Sequence, residues 1–353
     1  MSRVPRIESS VAVAHGEGTT TVEHRLVDSP ADGEIVLSLR CCGLCGTDLF
    51  KIDGPAMQPS VLGHELVGIV EASRSARFRE GDRVVVPHHV SCGACALCAR
   101  GSDTMCPTFK ENLLEPGGFS ARIRVSRRAV DQAARLVPAH VSDDAASFME
   151  PAACVHRGIR RAGLLDPVAP GSPSRCALVV GAGSMGLLHL LTLKAIDPSF
   201  RVVVSDLRHE RLALAMTLGA HAVAEPGEAL RAAVMDASHG VGADAAFDTV
   251  GGARILDSSL ALVREGGSVV LFAHAPRDER ASFDLNAFFK SEKRVISTYS
   301  GSLADQAAVW SLIERGALDA TPLVTHRVPL SRFGDAVALA RSQQALKAMV
   351  IPD

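Results

Sequence analysis

The 353-residue sequence predicts an α/β protein of two domains. One is a mostly β, loop-rich part rich in cysteine, and the other is a doubly wound parallel sheet. Three observations predict it. Eight of the nine cysteines fall before residue 155, and the ninth is Cys176. The first 150 residues carry short β-type runs between turn signals. From about residue 176, strand-like runs alternate with helical stretches, the pattern of a parallel sheet covered by helices. A length of 353 also fits two domains at roughly 150 residues each.

The β-type runs of the first part are IVLSL at 35–39, VGIVEA at 67–72, RVVVP at 83–87 and ARIRV at 121–125. In the second part an apolar run, Cys176–Val180, meets a glycine turn and then an apolar helical stretch to about Ile196. A strand over Arg201–Ser205 follows, then the helix-like HERLALAMTLGA, closing at Gly219. The segments 244–250 and 268–273 read as two further strands, and 305–315 and 332–342 as helices. The Pro/Gly/Ser-rich stretch PVAPGSPS at 167–174 reads as the join between the parts. No internal repeat or low-complexity segment interrupts this order.

Composition excludes several classes. Lys plus Arg number 37 against 39 Asp plus Glu, a net charge of -2. A duplex-binding protein carries a basic excess, so a nucleic-acid partner is not expected. Aromatic residues make up 4%, with one Trp (Trp310) and one Tyr (Tyr299), too few for a base-stacking platform. No apolar run approaches the ~18 to 20 residues that span a bilayer, so no membrane partner is expected. The opening MSRVPRIESS has no apolar leader segment. The expected compartment is the cytoplasm, where clustered thiols point to metal or catalysis rather than disulfides.

Gly181-Ala182-Gly183-Ser184-Met185-Gly186 follows a strand and opens a helix. Gly181 permits the tight turn, Gly183 lets the backbone approach a pyrophosphate, and Gly186 lets helix and strand pack closely. The helix N-terminus, opening at Ser184 and Met185, offers free N–H groups and positive dipole to phosphates. Asp206 lies twenty residues beyond Gly186, at the end of the next strand. A carboxylate there accepts the ribose hydroxyls of an adenosine and repels the extra phosphate of NADP. The cofactor expected is NAD, with NADP less favoured; Arg208 and Arg211 stand close enough to soften the preference. A glycine turn of another α/β fold is the competing reading, and the ordered strand, turn, helix, strand and acid weigh against it.

Cys92, Cys95 and Cys98 at CxxCxxC spacing, with Cys106 after them, can wrap one tetrahedral Zn²⁺. Four sulfurs leave no position for water, so such a site is structural. An iron–sulfur cluster, a redox pair or inert thiols compete, but the spacing differs from the ferredoxin runs. A second constellation contains Cys45 in GLCGTDLF, His64 and Glu65 in VLGHELVG, and Glu150 in FMEPAAC. One thiolate, one imidazole and one or two carboxylates make an open Zn²⁺ site that admits water or substrate. Such a site acidifies an alcohol hydroxyl. Thr47, two residues after Cys45, is the candidate to carry the proton away, after which hydride passes from carbon to nicotinamide. Cys41, Cys42, Cys154 and Cys176 read as small core residues, and His88 and His89 as loop residues beside the four-cysteine lobe.

On these residues the sequence resembles the zinc-dependent medium-chain alcohol dehydrogenase family. The matching elements are GLCGTD (43–48), GHELVGIV (63–70), GDRVVV (81–86), the lobe at about 92–106, GGFSA (117–121), EP (150–151), GAGSMG (181–186), SDL with Arg211, and LGA (218–220), in the family's order. The set Cys45, His64, Glu65 and Glu150 is closest to the polyol and threonine dehydrogenase branch. In such relatives the GHE acid either binds zinc or acts from behind, and the EP carboxylate either ligates or holds the zinc water. Both roles stay open here for Glu65 and Glu150.

The resemblance implies a GroES-like catalytic domain over 1–157 and 295–353 with a Rossmann NAD-binding domain over 158–294, an active site in the cleft, two Zn²⁺ per chain, and homodimers or homotetramers. It implies an NAD-dependent oxidation of a secondary alcohol or polyol to a ketone. A zinc-free reductase of activated double bonds or imines, and a non-catalytic cofactor-binding relative, are the alternatives. One position departs from the pattern. Many relatives carry a His five residues after the zinc Cys to pass the proton on, and here that residue is Phe50. Tyr299, in ISTYSGS at 296–302, is a candidate pocket residue.

Overall fold

The computed structural model describes residues 6–353, so the first five residues of the N-terminal run read for a leader lie outside the described part. The chain divides into two compact units, 1–151 with 302–353 and 152–301. Among the described residues no helix is long and apolar enough to cross a membrane. The stretch 167–174, read as the join, lies inside the second unit. The division falls instead within the helix Met149–Arg161. Proline and glycine there mark the end of regular structure, and a helix can carry the chain across a boundary without them.

The first unit is built on an eight-stranded sheet. Its main path runs Val324–Pro329, Lys347–Ile351, Ile35–Gly43, Glu65–Ser73, Arg83–Pro87 and Arg135–Leu136. Two strands near the C-terminus thus complete a sheet begun near the N-terminus. Alternation drives this: Ile35, Leu37 and Leu39 on one strand and Val84 and Val86 on another turn into a core with Phe119, Ile123 and Phe333. A hairpin of Arg6–Gly16 and Thr19–Asp28 adds a smaller sheet.

One row of this register positions the site. Met349 pairs with Gly43, Gly43 with Glu65, and Glu65 with Pro87. Lys347, two residues before Met349, points to the same face as Met349. Gly43 stands between Lys347 and Glu65, and a Cβ there would lie 2.1 Å from Glu65 Oε2. The missing side chain is what lets the two charges meet across the middle strand.

The second unit holds a six-stranded parallel sheet. Its order is Ala222–Ala224, Arg201–Ser205, Cys176–Val180, Ala243–Asp248, Val263–Leu271 and Arg294–Ser297. The chain starts in the middle at Cys176–Val180, moves out one way and returns to build the other, which is the doubly wound order. Cys176–Val180 is buried along its whole length, as expected of a strand covered on both faces.

Candidate functional site

Two constellations lie in the first unit and a glycine turn lies in the second. Cys45 caps the N-terminus of the helix Gly46–Ile52, and its backbone N–H donates to Asp48 Oδ2 at 3.0 Å. Asp48 is 1% exposed, and its Oδ1 stands 3.4 Å from His64 Nδ1. Burial opposes its charge, but His64 beside it holds the Asp48 carboxyl below its usual range. Burial likewise works against a charged His64, and Asp48 and Cys45 reverse this and raise it well above the ordinary value. The carboxylate thus fixes the ring's orientation, as outer partners of ligating histidines do.

The ligand atoms of Cys45, His64 and Glu65 all lie within 4.8 Å of one another. Glu65 is 1% exposed and meets Lys347 Nζ at 2.7 Å through Oε1 and 2.5 Å through Oε2. Burial would lower the Lys347 ammonium, but Glu65 outweighs it and raises the group. Glu150 opens the helix Met149–Arg161, is 8% exposed, and stands outside that three-residue cluster. Its Oε1 is 3.9 Å from His88 Nδ1. Thr47 is half-buried on the Cys45-capped helix, and Phe50, one turn on, is 46% exposed.

His88 and His89 lie in a loop, as expected, and the structure adds a contact that no motif marks. The His88 ring centroid is 4.5 Å from that of His64, and His89 stacks behind at 3.5 Å. The pairing of Glu65 with Pro87 explains this, because the residues next to each partner are then neighbours. Burial, with His64 and His89 alongside, holds His88 well below its ordinary pKa. Lys347 was also missed, since it lies 282 residues from Glu65 and no local motif marks it.

The sulfurs of Cys92, Cys95, Cys98 and Cys106 form a second cluster, also mutually within 4.8 Å. Backbone N–H groups already point at them: Cys95 N–H donates to Cys92 Sγ at 3.3 Å, and Cys92 N–H to Cys106 Sγ at 3.4 Å. The Thr108 hydroxyl and the Cys92 backbone lower the Cys106 thiol to about 6. A converging set of sulfurs with a ready thiolate fits a closed metal site. Cys41, Cys42 and Cys176 are buried, and burial pushes Cys41 and Cys176 up to about 12, the behaviour of inert core thiols. Cys154 is half-buried.

In the second unit Gly181 adopts φ +94° and Gly183 caps the helix Ser184–Ile196. A Cβ on Gly186 would lie 1.8 Å from the Gly181 carbonyl oxygen, so this turn excludes any side chain there. Met185 follows Ser184 in the helix's first turn. Asp206 follows the strand Arg201–Ser205. Its Oδ2 accepts from Ala182 N–H at 2.6 Å and its Oδ1 from Arg208 N–H at 2.9 Å. Arg211 reaches the same turn, with Nη1 3.9 Å from the place a Gly183 Cβ would take. Tyr299, past the edge strand, is 42% exposed.

Comparison with known proteins decides the family. Residues 31–135 match the family described as alcohol dehydrogenase GroES-like domain, and 184–315 match zinc-binding dehydrogenase. D-altritol 5-dehydrogenase of Agrobacterium fabrum is 32% identical over 306 residues, covering 85% of this chain and 87% of that protein. The chain belongs to the zinc-type medium-chain alcohol dehydrogenase family, in its polyol branch. Sorbitol dehydrogenase of Halalkalibacterium halodurans is 26% identical, covering 98% and 99% of the two chains. An alcohol dehydrogenase from Thermus sp. ATN1 superposes with a TM-score of 0.83 at 25% identity, over 98% of this chain and 100% of that one. As a member of this family the protein is an enzyme, an oxidoreductase acting on an alcohol carbon. The two units accordingly are a GroES-like domain and a Rossmann domain.

Proposed function

We propose that this dehydrogenase oxidises a secondary hydroxyl of a polyol to a ketone, reversibly, with zinc and NAD. The observation that carries the reading is the convergence of Cys45, His64 and Glu65 to within 4.8 Å. The polyol class is supported by relatives named for D-altritol, sorbitol and D-arabinitol. Zinc, when bound at that cluster, supplies Lewis acidity that lowers the pKa of an alcohol hydroxyl.

The chain's own residues do the rest. Asp48 holds His64 by Nδ1 and leaves Nε2 as the ligating nitrogen. Lys347 Nζ donates to Glu65 Oε1, while Oε2 is buried with no hydrogen bond and the carboxylate lies inside the cluster, which supports Glu65 as the third ligand and Glu150, outside it, as the carboxylate that holds the zinc water. Thr47 offers the hydroxyl that takes the proton onward. Phe50 cannot relay it, and its 46% exposure supports water as the next acceptor. The cysteines at 92, 95, 98 and 106 hold a second, structural zinc. Asp206, fixed on the glycine turn, favours NAD over NADP by charge. We also read the chain as a homo-oligomer. Among the described residues the edge strand Arg294–Ser297 has one neighbour, and the helix Leu285–Ser291 beside it in sequence leaves Leu285 77% and Phe289 79% exposed.

Metal analysis with a polyol panel tests the mechanism. Wild-type protein should hold two zinc ions per chain and reduce NAD⁺ with sorbitol-type polyols, followed at the nicotinamide absorbance. The Cys45→Ser variant should hold one zinc, lose turnover and keep its NAD affinity. Full turnover by verified zinc-free protein rejects the reading, as does loss of NAD binding together with zinc.

A further inference from the structure

The stretch 167–174 joins no domains, but it has a place in the second unit, where it helps to wall a cavity of about 440 Å³. The cavity lies at the amino ends of four neighbouring parallel strands, Cys176–Val180, Ala243–Asp248, Val263–Leu271 and Arg294–Ser297. Each strand lends it a residue at or next to its start: Cys176, Asp244, Arg264 and Arg294. The glycine turn begins at the other end of Cys176–Val180, a strand of five residues away, which is roughly 16 Å at about 3.3 Å per residue. The cavity is therefore not the dinucleotide crevice.

Its lining is cationic: Arg175, Arg264 and Arg294 stand against Asp166 and Asp244. One pair is spent. Arg264 Nε donates to Asp244 Oδ1 at 2.7 Å, and Asp244 Oδ2 accepts from Cys176 N–H at 2.8 Å. The other two arginines turn to the backbone. Arg175 donates to the Leu164 and Asp166 carbonyls, and Arg294 Nη2 to the Ala162 carbonyl at 3.3 Å. Among the described residues neither has a carboxylate within ion-pair distance. Neutral oxygens fix a guanidinium in place without cancelling its charge, and each fork keeps further N–H donors. Ser172 and Ser174 add hydroxyls that make no hydrogen bond among the described residues. The exposed Asp166 is the one carboxylate left to oppose an anion. Pro173 with Val168 and Val241, 55% and 63% exposed, gives the cavity an apolar wall.

We propose that this cavity binds a small organic phosphate monoester, with the phosphate on Arg175 and Arg294 and the organic part against Val168, Pro173 and Val241. Guanidinium forks match phosphate oxygens in pairs, and a phosphate monoester carries a charge of about −1.5 to −2 at neutral pH. The volume falls within the range of roughly 300–1,000 Å³ of small-molecule sites. The competing reading is that the arginines do no more than hold the turn after the helix Met149–Arg161. That role gives no reason for anion affinity to fall with Arg294 and rise with the loss of Asp166. The site stands independently of the proposed reaction.

Calorimetric titration with phenyl phosphate, which has no hydroxyl to oxidise, tests the site. The zinc-replete protein is saturated with NAD⁺ so that the glycine turn is occupied, and chloride at equal ionic strength sets the non-specific background. Wild type should bind one phenyl phosphate per chain, about fivefold or more tighter than inorganic phosphate because of the apolar wall. Arg294→Gln should weaken it by about tenfold or more. Asp166→Asn should tighten it by about threefold, since a like charge is removed. Val241→Trp, which fills the cavity and alters no charge, should abolish binding. The Tm and NAD affinity of each variant report whether the fold is kept. No binding above the chloride background, or affinity unchanged in both Arg294→Gln and Val241→Trp, overturns the site. Inorganic phosphate bound as tightly as phenyl phosphate overturns the organic ligand and leaves free phosphate as the anion held there.

Discussion

Glu65 is a carboxylate 1% exposed, and Lys347, 3% exposed, is its partner. Removing one member of a buried ion pair leaves the other charged in a low-dielectric setting, which costs about 3–5 kcal/mol. Lys347→Met should therefore lower stability by about that amount in denaturant titration. Adding Glu65→Gln should recover most of the loss, because the stranded charge is then gone; no recovery would mean that Lys347 stabilises by packing. At the cofactor turn the residue-scale argument concerns Asp206. It accepts from two backbone N–H groups, and in the proposed function its charge is what selects NAD over NADP. Asp206→Ala should weaken NAD far more than NADP, by about tenfold or more in relative affinity. Equal effects on both cofactors would remove its assigned role.

At the scale of elements, the glycine-turn helix Ser184–Ile196 contains a histidine with an unusual setting. His189 is fully buried between Phe247 and Phe272, with ring centroids 4.8 and 4.5 Å away. Nδ1 pairs with the Met185 carbonyl at 2.7 Å, whereas Nε2 has no partner. Burial lowers its pKa to about 4, against an ordinary 6.5. The folded protein thus keeps this ring neutral where the unfolded chain takes up a proton. Stability is whole above the unfolded value and falls as pH drops from about 6.5 to about 4, by roughly 3 kcal/mol for this group. His189→Leu should flatten that part of the pH–Tm profile; a variant with the wild-type slope would show that other groups set it. The elements also show what local pattern reveals. Cys176–Val180 and Arg201–Ser205 were legible because buried parallel strands read as unbroken apolar runs. The hairpin Arg6–Gly16 with Thr19–Asp28 was not, because the second strand is half solvated and polar.

At the scale of the whole molecule, the exposed apolar residues of Leu285–Ser291 and the edge strand after it bear on assembly. Burying two large side chains such as Leu285 and Phe289 against a second copy contributes about 1.5–3 kcal/mol each. Phe289→Glu should shift the protein toward monomer in light scattering while leaving zinc content at the wild-type value. An unchanged mass would remove this helix as the contact, and a monomeric wild type would reject the proposed homo-oligomer. The division of the chain also belongs to this scale. The first unit needs strands from both ends of the sequence, so a truncation after residue 301 should leave its sheet without Val324–Pro329 and Lys347–Ile351.

Sequence alone determined the fold class, picked out the four cysteines and the trio Cys45, His64 and Glu65 that lie together, and marked the glycine turn; it grouped Glu150 with the trio, and the structure sets Glu150 outside it. These rest on residue types whose chemistry is stated locally: thiols at CxxC spacing, glycines that a tight turn demands, and an acid at a strand end. Tertiary structure decided what touches what. It brought Lys347 through the gap at Gly43 to Glu65, and it laid His88 against His64. Neither contact could be read beforehand, because sheet register joins residues far apart in the chain. A side chain's partner is then set by the packing of the whole core rather than by its neighbours in sequence.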